Sequence, residues 1–250
     1  MFKVKYFDLD KLLKRLFISI DKSLEGIRCP KQLDHIILFH LCRSIRLSKG
    51  ILKLSLAGYA LEGQILLRSQ FNLAVNLKWL TLKDVTNRVQ RFIDFESINK
   101  KKGADNLINY SSLSEVKIEF LKKHPNYNIE HIENKYQRND LRNWSGKHIC
   151  EMAEEVGLKD EYKIMYSPLS EIEHSGPNSI NKFLNKTNQE TVQLKIKPRD
   201  EDIPLTIISS ADYLFMVLNI FIENFGIEQK RFGAIENKYK LINKKYLELE

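Results

Sequence analysis

Cysteine, glycine and proline are scarce in this 250-residue chain, at 3, 10 and 6 residues. Each scarcity excludes something. Three thiols (Cys29, Cys42 and Cys150), odd in number, widely spaced and in no CxxC pair, rule out a disulfide framework and a multi-cysteine zinc site. They read as free thiols of a reducing compartment. Few glycines and prolines disfavour sandwiches and barrels, which need many tight turns. The most apolar run, residues 213–222, has about half the ~20 residues of a bilayer span. At the N-terminus, MFKVKYFDLDKLLKRLF interleaves charge with apolar residues, so no signal-peptide h-region forms. The expectation is a cytoplasmic protein with no membrane partner.

What is present makes helices. Apolar residues are 43% and charged residues 29% of the chain, a globular balance with enough material for a core. Leu12, Leu13, Leu16, Phe17, Ile20 and Leu24 recur at spacings of three and four, with Lys11, Lys14, Arg15 and Lys22 between them. Further helices are expected over 36–47, within the apolar region 51–80 broken at Gly58 and Gly63, and along the Val85, Val89, Phe92 stripe. A shorter one covers 147–156 and stops at Gly157. Residues 205–225 are apolar nearly all round, which predicts a buried central helix over 211–225. One segment alternates instead: TVQLKIK at 191–197, then PRDEDIP and LTII, predicts a small β-hairpin or extended arm near 191–208. The fold class is therefore an all-α multi-helix bundle of about eight to ten helices with one β-arm.

That bundle is expected over 1–226, followed by a C-terminal amphipathic helix over 227–250. In it Phe232, Ile235, Tyr239, Ile242, Tyr246 and Leu249 follow a 3-4-3-4-3 spacing, the pattern of a coiled-coil seam. The seam is too short to stand alone. It packs on its own domain or on a second copy, and Phe225-Gly226 before it gives a hinge that favours a homodimer.

Net charge is +8. Residues 1–60 carry 12 basic and 5 acidic side chains, a net +7, so the excess is an N-terminal basic face. It either contacts phosphate or is simply a solvated helix surface.

Polar residues on apolar faces identify the candidate sites, because burying them costs free energy without partners. Arg68, Asn72 and Asn76 recur at i, i+4 and i+8 beside the Leu66, Leu73, Leu77, Leu80 stripe. Arg68 either binds an anion in a helical cleft or makes a structural ion pair, with Glu96 as a partner on the next stripe. Tyr162, Tyr166, Ser170 and His174 are spaced by four and would share one face of a continuous helix, although Pro168 kinks or restarts it. Gly176 and Pro177 end the helix just after His174, so the imidazole sits at a helix C-terminus, where the macrodipole favours its cation. Glu171 and His174 form one Glu-x-x-His pair. A di-iron bundle needs two such pairs and two further glutamates, and no second pair exists, so neither metal nor cofactor is expected.

Arg142 and His148, in RNDLRNWSGKHICEMA, fit Arg-x(4–6)-His, the motif of HEPN ribonucleases, in which histidine handles the proton and arginine the charge. With 11 arginines and six histidines, chance supplies roughly 0.8 such matches. His174 is the stronger acid–base candidate, because the Trp144–Gly146 turn puts His148 in a first helical turn.

LLRSQFNLAVNLKWL, RFIDFESINKKK, NWSGKHICEMAEEVGL and YKIMYSPLSEIEHSGPNS, in that order, resemble a bacterial family of unknown function, the domain of unknown function numbered 5677. The resemblance covers about residues 51–181. It puts Arg68, Trp144, Gly146, Tyr166, Ser170 and His174 on the family pattern and implies a helical fold with a shared pocket. In the family a glutamate often follows the arginine by four residues. Here that position is Asn72, which leaves Glu62 or Glu96 as the arginine's partner. Relatives among phage-defence and toxin-like genes imply an RNA-directed role by analogy.

Two functions follow as expectations. One is a metal-independent endoribonuclease or nucleotide-directed enzyme acting on RNA or nucleotide phosphate. In it Arg68, Tyr166, Ser170 and His174 line an internal cleft with Trp144 and His148 near its rim. The other is a non-catalytic binding or scaffold protein whose polar cluster is structural and whose terminal helix mediates self-association.

Overall fold

The computed structural model describes residues 2–109, 115, 119, 135–136, 143–186 and 192–247. The fold is all-α with one small hairpin. In chain order the helices are α1 (Phe2–Lys5), α2 (Phe7–Ser23), α3 (Gln32–Leu56), α4 (Ala60–Leu82), α5 (Val85–Asn109), α6 (Ile149–Glu155), α7 (Lys159–Glu161), α8 (Ser167–Glu173), α9 (Ile180–Phe183), α10 (Ile203–Phe225) and α11 (Lys230–Leu247). A π-helical turn, Tyr162–Tyr166, joins α7 to α8. Two compact units divide the chain: residues 1–78 with 153–250, and residues 79–152.

In the first unit α3 and α10 pack closely along their lengths and run antiparallel. At one end the Asn224 side chain donates to Asp34 (2.9 Å), whose other oxygen accepts the Lys31 N–H (3.0 Å) and so caps α3. At the other end Ser48 meets Ser210. α4 packs into the same core through Gln70. Its amide nitrogen donates to Ser48 Oγ (2.8 Å) and the Ser210 carbonyl (2.9 Å), and Ser210 Oγ donates to its oxygen (2.8 Å). A fully buried polar network of this kind fixes register as well as contributing energy.

Gly58 ends α3 at φ +89°, a conformation closed to most side chains, and a Cβ there would stand 2.6 Å from Pro198. Gly63 does not break the chain as expected. It lies inside α4, where a Cβ would stand 3.2 Å from Ser55 Oγ, so the missing side chain serves close helix contact.

The central helix begins earlier than its apolar pattern suggests. Asp202, at φ +63°, accepts the Thr206 N–H on its carbonyl, and Pro204 occupies the first turn, so LTII is helical. The hairpin forms one strand upstream of the expected place: β1 (Leu184–Lys186) pairs antiparallel with β2 (Val192–Leu194), with Asn185 opposite Gln193. α10 is long and apolar enough to cross a membrane, and 67% of that apolar window is buried inside the protein.

The α11 stripe closes on its own chain. Phe232, Tyr239 and Ile242 are buried, with α11 packed along α2. Tyr239 also meets Phe215 of α10 at 5.2 Å between rings, and its hydroxyl lies 2.9 Å from the Ile208 carbonyl and 2.8 Å from Asp212. Ile235 and Tyr246 are half-buried, Tyr246 against Tyr6, and Leu249 lies outside the described residues.

The second unit is built on the end of α4 and on α5. Phe95 and Ile98 are buried, with Tyr136 and Trp144 packed against them.

Candidate functional site

Arg68 leaves α4 half-buried and reaches the segment after α7, about a hundred residues away in sequence, as the polar-face reading expects. Its guanidinium lies 4.6 Å from the centre of the Tyr166 ring, and its Nη1 is ion-paired with Glu173. The partner is thus neither Glu62 nor Glu96. Glu62 sits on the exposed side of α4, and Glu96 is an exposed carboxylate paired with Lys100 at 2.5 Å. With its charge matched by Glu173, Arg68 anchors a carboxylate and is not an open clamp for phosphate.

Tyr166 is buried, and its ring stacks on Tyr162 (5.0 Å, 20° between planes) and leans on Phe71 (5.4 Å). Pro168 explains the local geometry. It has no N–H and its ring would collide with the carbonyl four residues back, so the chain widens before it. The Ser167 N–H accordingly reaches back five residues to the Tyr162 carbonyl, one turn of π-helix. Such turns recur at functional sites.

That irregularity and the helix end break the expected four-residue stripe. Tyr166 is inside and Ser170 half-buried, and the Ser170 carbonyl accepts the His174 N–H (3.0 Å). His174 stands one residue past α8, at φ −95°, with 68% of its side chain exposed. It does not line an internal cleft; it faces water. Its Nε2 lies 3.8 Å from the Glu173 oxygen that also meets Arg68.

The sequence carries a signal for Glu173. It lies five residues beyond Pro168 and follows Tyr166 by seven, the i+7 step that returns to one helix face.

Beside this cluster an open groove of about 400 Å³ is lined by Lys163, Ser167, Pro168, Glu171, Ile172, Ser179 and Lys182. Three side-chain atoms of this region are buried with no hydrogen-bond partner: Arg68 Nε, Asn72 Oδ1 and Glu171 Oε2. Unsatisfied buried groups are rare in folded proteins and mark places that a ligand or water completes.

The second unit holds Trp144 and His148. The Arg91 Nε–H donates to the Trp144 carbonyl (2.6 Å), and Trp144 packs edge-on to Trp79 (5.5 Å) and Phe92 (5.0 Å). His148 precedes α6 and caps it: its Nδ1 accepts the Cys150 N–H (3.3 Å), and the Glu151 carboxylate accepts the His148 N–H (2.6 Å). A capping role accounts for this residue without chemistry. Arg142, its partner in the ribonuclease-like motif, lies outside the described residues.

Asp94 is a buried carboxylate of this unit. It accepts from Tyr136 (2.6 Å), Gln90 (2.7 Å) and Lys135 (2.9 Å). Burial opposes its charge, yet these donors outweigh burial and hold the carboxyl below its ordinary range. Among the described residues, no three His, Cys, Asp or Glu side chains are grouped so as to hold a metal ion.

A family profile described as a family of unknown function, DUF5677, matches residues 34–191, which include Arg68, Tyr166, Glu173 and His174. No curated protein and no solved structure matches the chain.

Proposed function

Since the chain belongs to the family of unknown function DUF5677, we propose that its matched region carries an RNA- or nucleotide-directed activity of the defence or toxin type. His174 serves as acid–base residue in it, with no metal taking part. The observation that carries the reading is the sharing of one Glu173 oxygen between Arg68 and His174. A carboxylate fixed by a half-buried guanidinium is a preorganised partner for an imidazole that gains a proton during reaction. His174 is exposed enough to meet a phosphate ester, whereas Arg68 is a positioning residue. Lys163, on the groove beside α8, supplies positive charge for the phosphate, whereas Lys182 on the same groove is paired with Asp202 at 3.2 Å.

A second reading is a non-catalytic binding protein, and one observation favours it: Arg68 is engaged by both Glu173 and Tyr166, as a structural cation would be.

Total RNA incubated with the purified chain, with and without chelator, separates the two. The expected result is cleavage that survives chelation, disappears in His174→Ala and persists in His148→Ala. RNA left intact by the parent chain removes the enzymatic reading. Cleavage that depends on His148 but not on His174 transfers the chemistry to the ribonuclease-like motif.

A further inference from the structure

The basic N-terminal face contains a second concavity that shares no residue with the His174 site. Its volume is about 550 Å³ and its lining is mostly apolar. Phe17 of α2 with Leu52 and Leu56 of α3 make the floor. Lys3, Lys14, Lys49 and Lys53 stand around the rim. The one acidic group there, Asp10, is buried and already paired with Lys14 at 2.7 Å. Lys3, Lys49 and Lys53 form no ion pair with any described residue, and Lys49 leans over the floor with its Nζ 5.3 Å from the Phe17 ring centre. Three uncompensated cations around the hollow repel one another, and the apolar surface it leaves wet is that of Leu56, Ala57 and the lysine stems, since Phe17 and Leu52 are each only 5% exposed. A ligand with an anionic head and an aliphatic body relieves both costs.

We propose that this groove binds one free long-chain carboxylate, its head among Lys3, Lys49 and Lys53 and its chain along Leu56, Ala57 and the lysine stems that cover Phe17 and Leu52. A nucleotide fits less well, because the only aromatic ring of the floor is 5% exposed and lies under Lys49, so no open face remains for a base to stack on. A bilayer surface fits less well too, because the apolar atoms sit at the bottom of a concavity of single-ligand size.

The test is titration of the full chain with dansyl-undecanoate, read by dansyl fluorescence, beside its uncharged methyl ester and beside vesicles of phosphatidylglycerol. Saturable one-to-one binding of the acid is expected, with the ester about five- to tenfold weaker, the loss of one charge-assisted contact. A double variant, Lys49→Gln with Lys53→Gln, should bring the acid down to the affinity of the ester. Both lysines are exposed and unpaired, so folding is not at stake. Ala57→Trp, an exposed rim position, should block acid and ester alike while circular dichroism stays unchanged. Equal binding of acid and ester, or full binding by the Ala57→Trp chain, would overturn the proposal. So would binding to anionic vesicles without binding of the free acid, which would make the face a membrane contact.

Discussion

Asp94 in residues 79–152 and Glu173 in the other unit are built into similar surroundings, a carboxylate beside a cation and a tyrosine, and they end in different states. Asp94 takes three hydrogen bonds, one from Tyr136, and Arg91 lies over that same tyrosine ring at 4.7 Å. Glu173 is paired with Arg68, which lies over Tyr166, but around it Arg68 Nε, Asn72 Oδ1 and Glu171 Oε2 are buried without partners. A network whose members are all satisfied holds a fold together. One that leaves three polar atoms unmatched is held in place by its surroundings and keeps capacity for something else.

Acid should separate the two units most strongly. His40 in α3 is 1% exposed, and burial pushes its pKa down to about 4 despite the Ile36 carbonyl 2.8 Å from Nδ1. The unfolded chain therefore takes up this proton near pH 6.5 and the folded chain only near pH 4. Stability is unaffected above that window, falls as pH drops through it, and is lower by roughly 3 kcal/mol at its acid end. Asp94 works in the same direction, but only in a more acidic window. Its carboxyl is lowered in the folded state, so its contribution is complete above the ordinary carboxylate pKa and is lost only as pH falls below that. Urea titrations at several pH values check this, since Trp79 and Trp144, the only two tryptophans, both report on residues 79–152. Far-UV dichroism should weaken before tryptophan emission does, and His40→Gln should flatten the early loss. Coincident signals at every pH would mean that the units unfold as one, and the contrast would not hold.

Asp94→Ala should destabilise by about 2 kcal/mol, since its three donors lose their acceptor but Lys135 can turn to water. The shift should be seen in tryptophan emission, with the activity proposed for His174 intact. Arg68→Ala should cost less, about 1 kcal/mol, because Glu173 keeps 29% exposure and can rehydrate. Arg68→Lys should recover little of it, since an ammonium cannot reproduce a planar guanidinium both stacked and paired. Here the larger effect should be on activity, as a fall in kcat with KM nearly unchanged, because the substitution frees Glu173 without touching the groove.

Much of this was legible in the sequence, and the failures have particular causes. Helical periodicity gave the all-α class and the buried central helix, because those depend on local spacing of apolar residues alone. Arg68 and the Tyr166–His174 segment could be paired in advance because each interrupts an apolar face with a group that needs a partner. Which carboxylate Arg68 would choose could not be read so directly. Glu96 sits at the right spacing on α5, but spacing along one helix says nothing about a partner from α8. The four-residue stripe from Tyr162 to His174 failed at Pro168, where a π turn replaces the regular rise. Gln70, Ser48 and Ser210 carry no sequence signal, because serines and glutamines are common on exposed faces too, and only tertiary contact makes a network of them.

Gly176→Ala should have the smallest effect on stability, and it sharpens the contrast most. A Cβ at this position would stand 2.1 Å from Glu171 Oε2, so the carboxylate must swing away. Glycine's backbone freedom is not required here, since φ is −65° and ψ 160°, which alanine adopts readily. Replacing glycine by alanine at a compatible position restricts the unfolded chain and stabilises by about 0.5 kcal/mol. Moving Glu171 into water also relieves a buried oxygen that has no partner, which works in the same direction. The variant should thus melt at the same temperature as the parent or slightly above it. If the unmatched oxygen of Glu171 is held for a ligand in the groove, KM for RNA should rise several-fold in this stable protein, with kcat little changed. The same displacement in a purely structural cluster would leave both constants alone, and a chain that is more stable and equally active would assign the Arg68 and Glu173 cluster to the same class as Asp94.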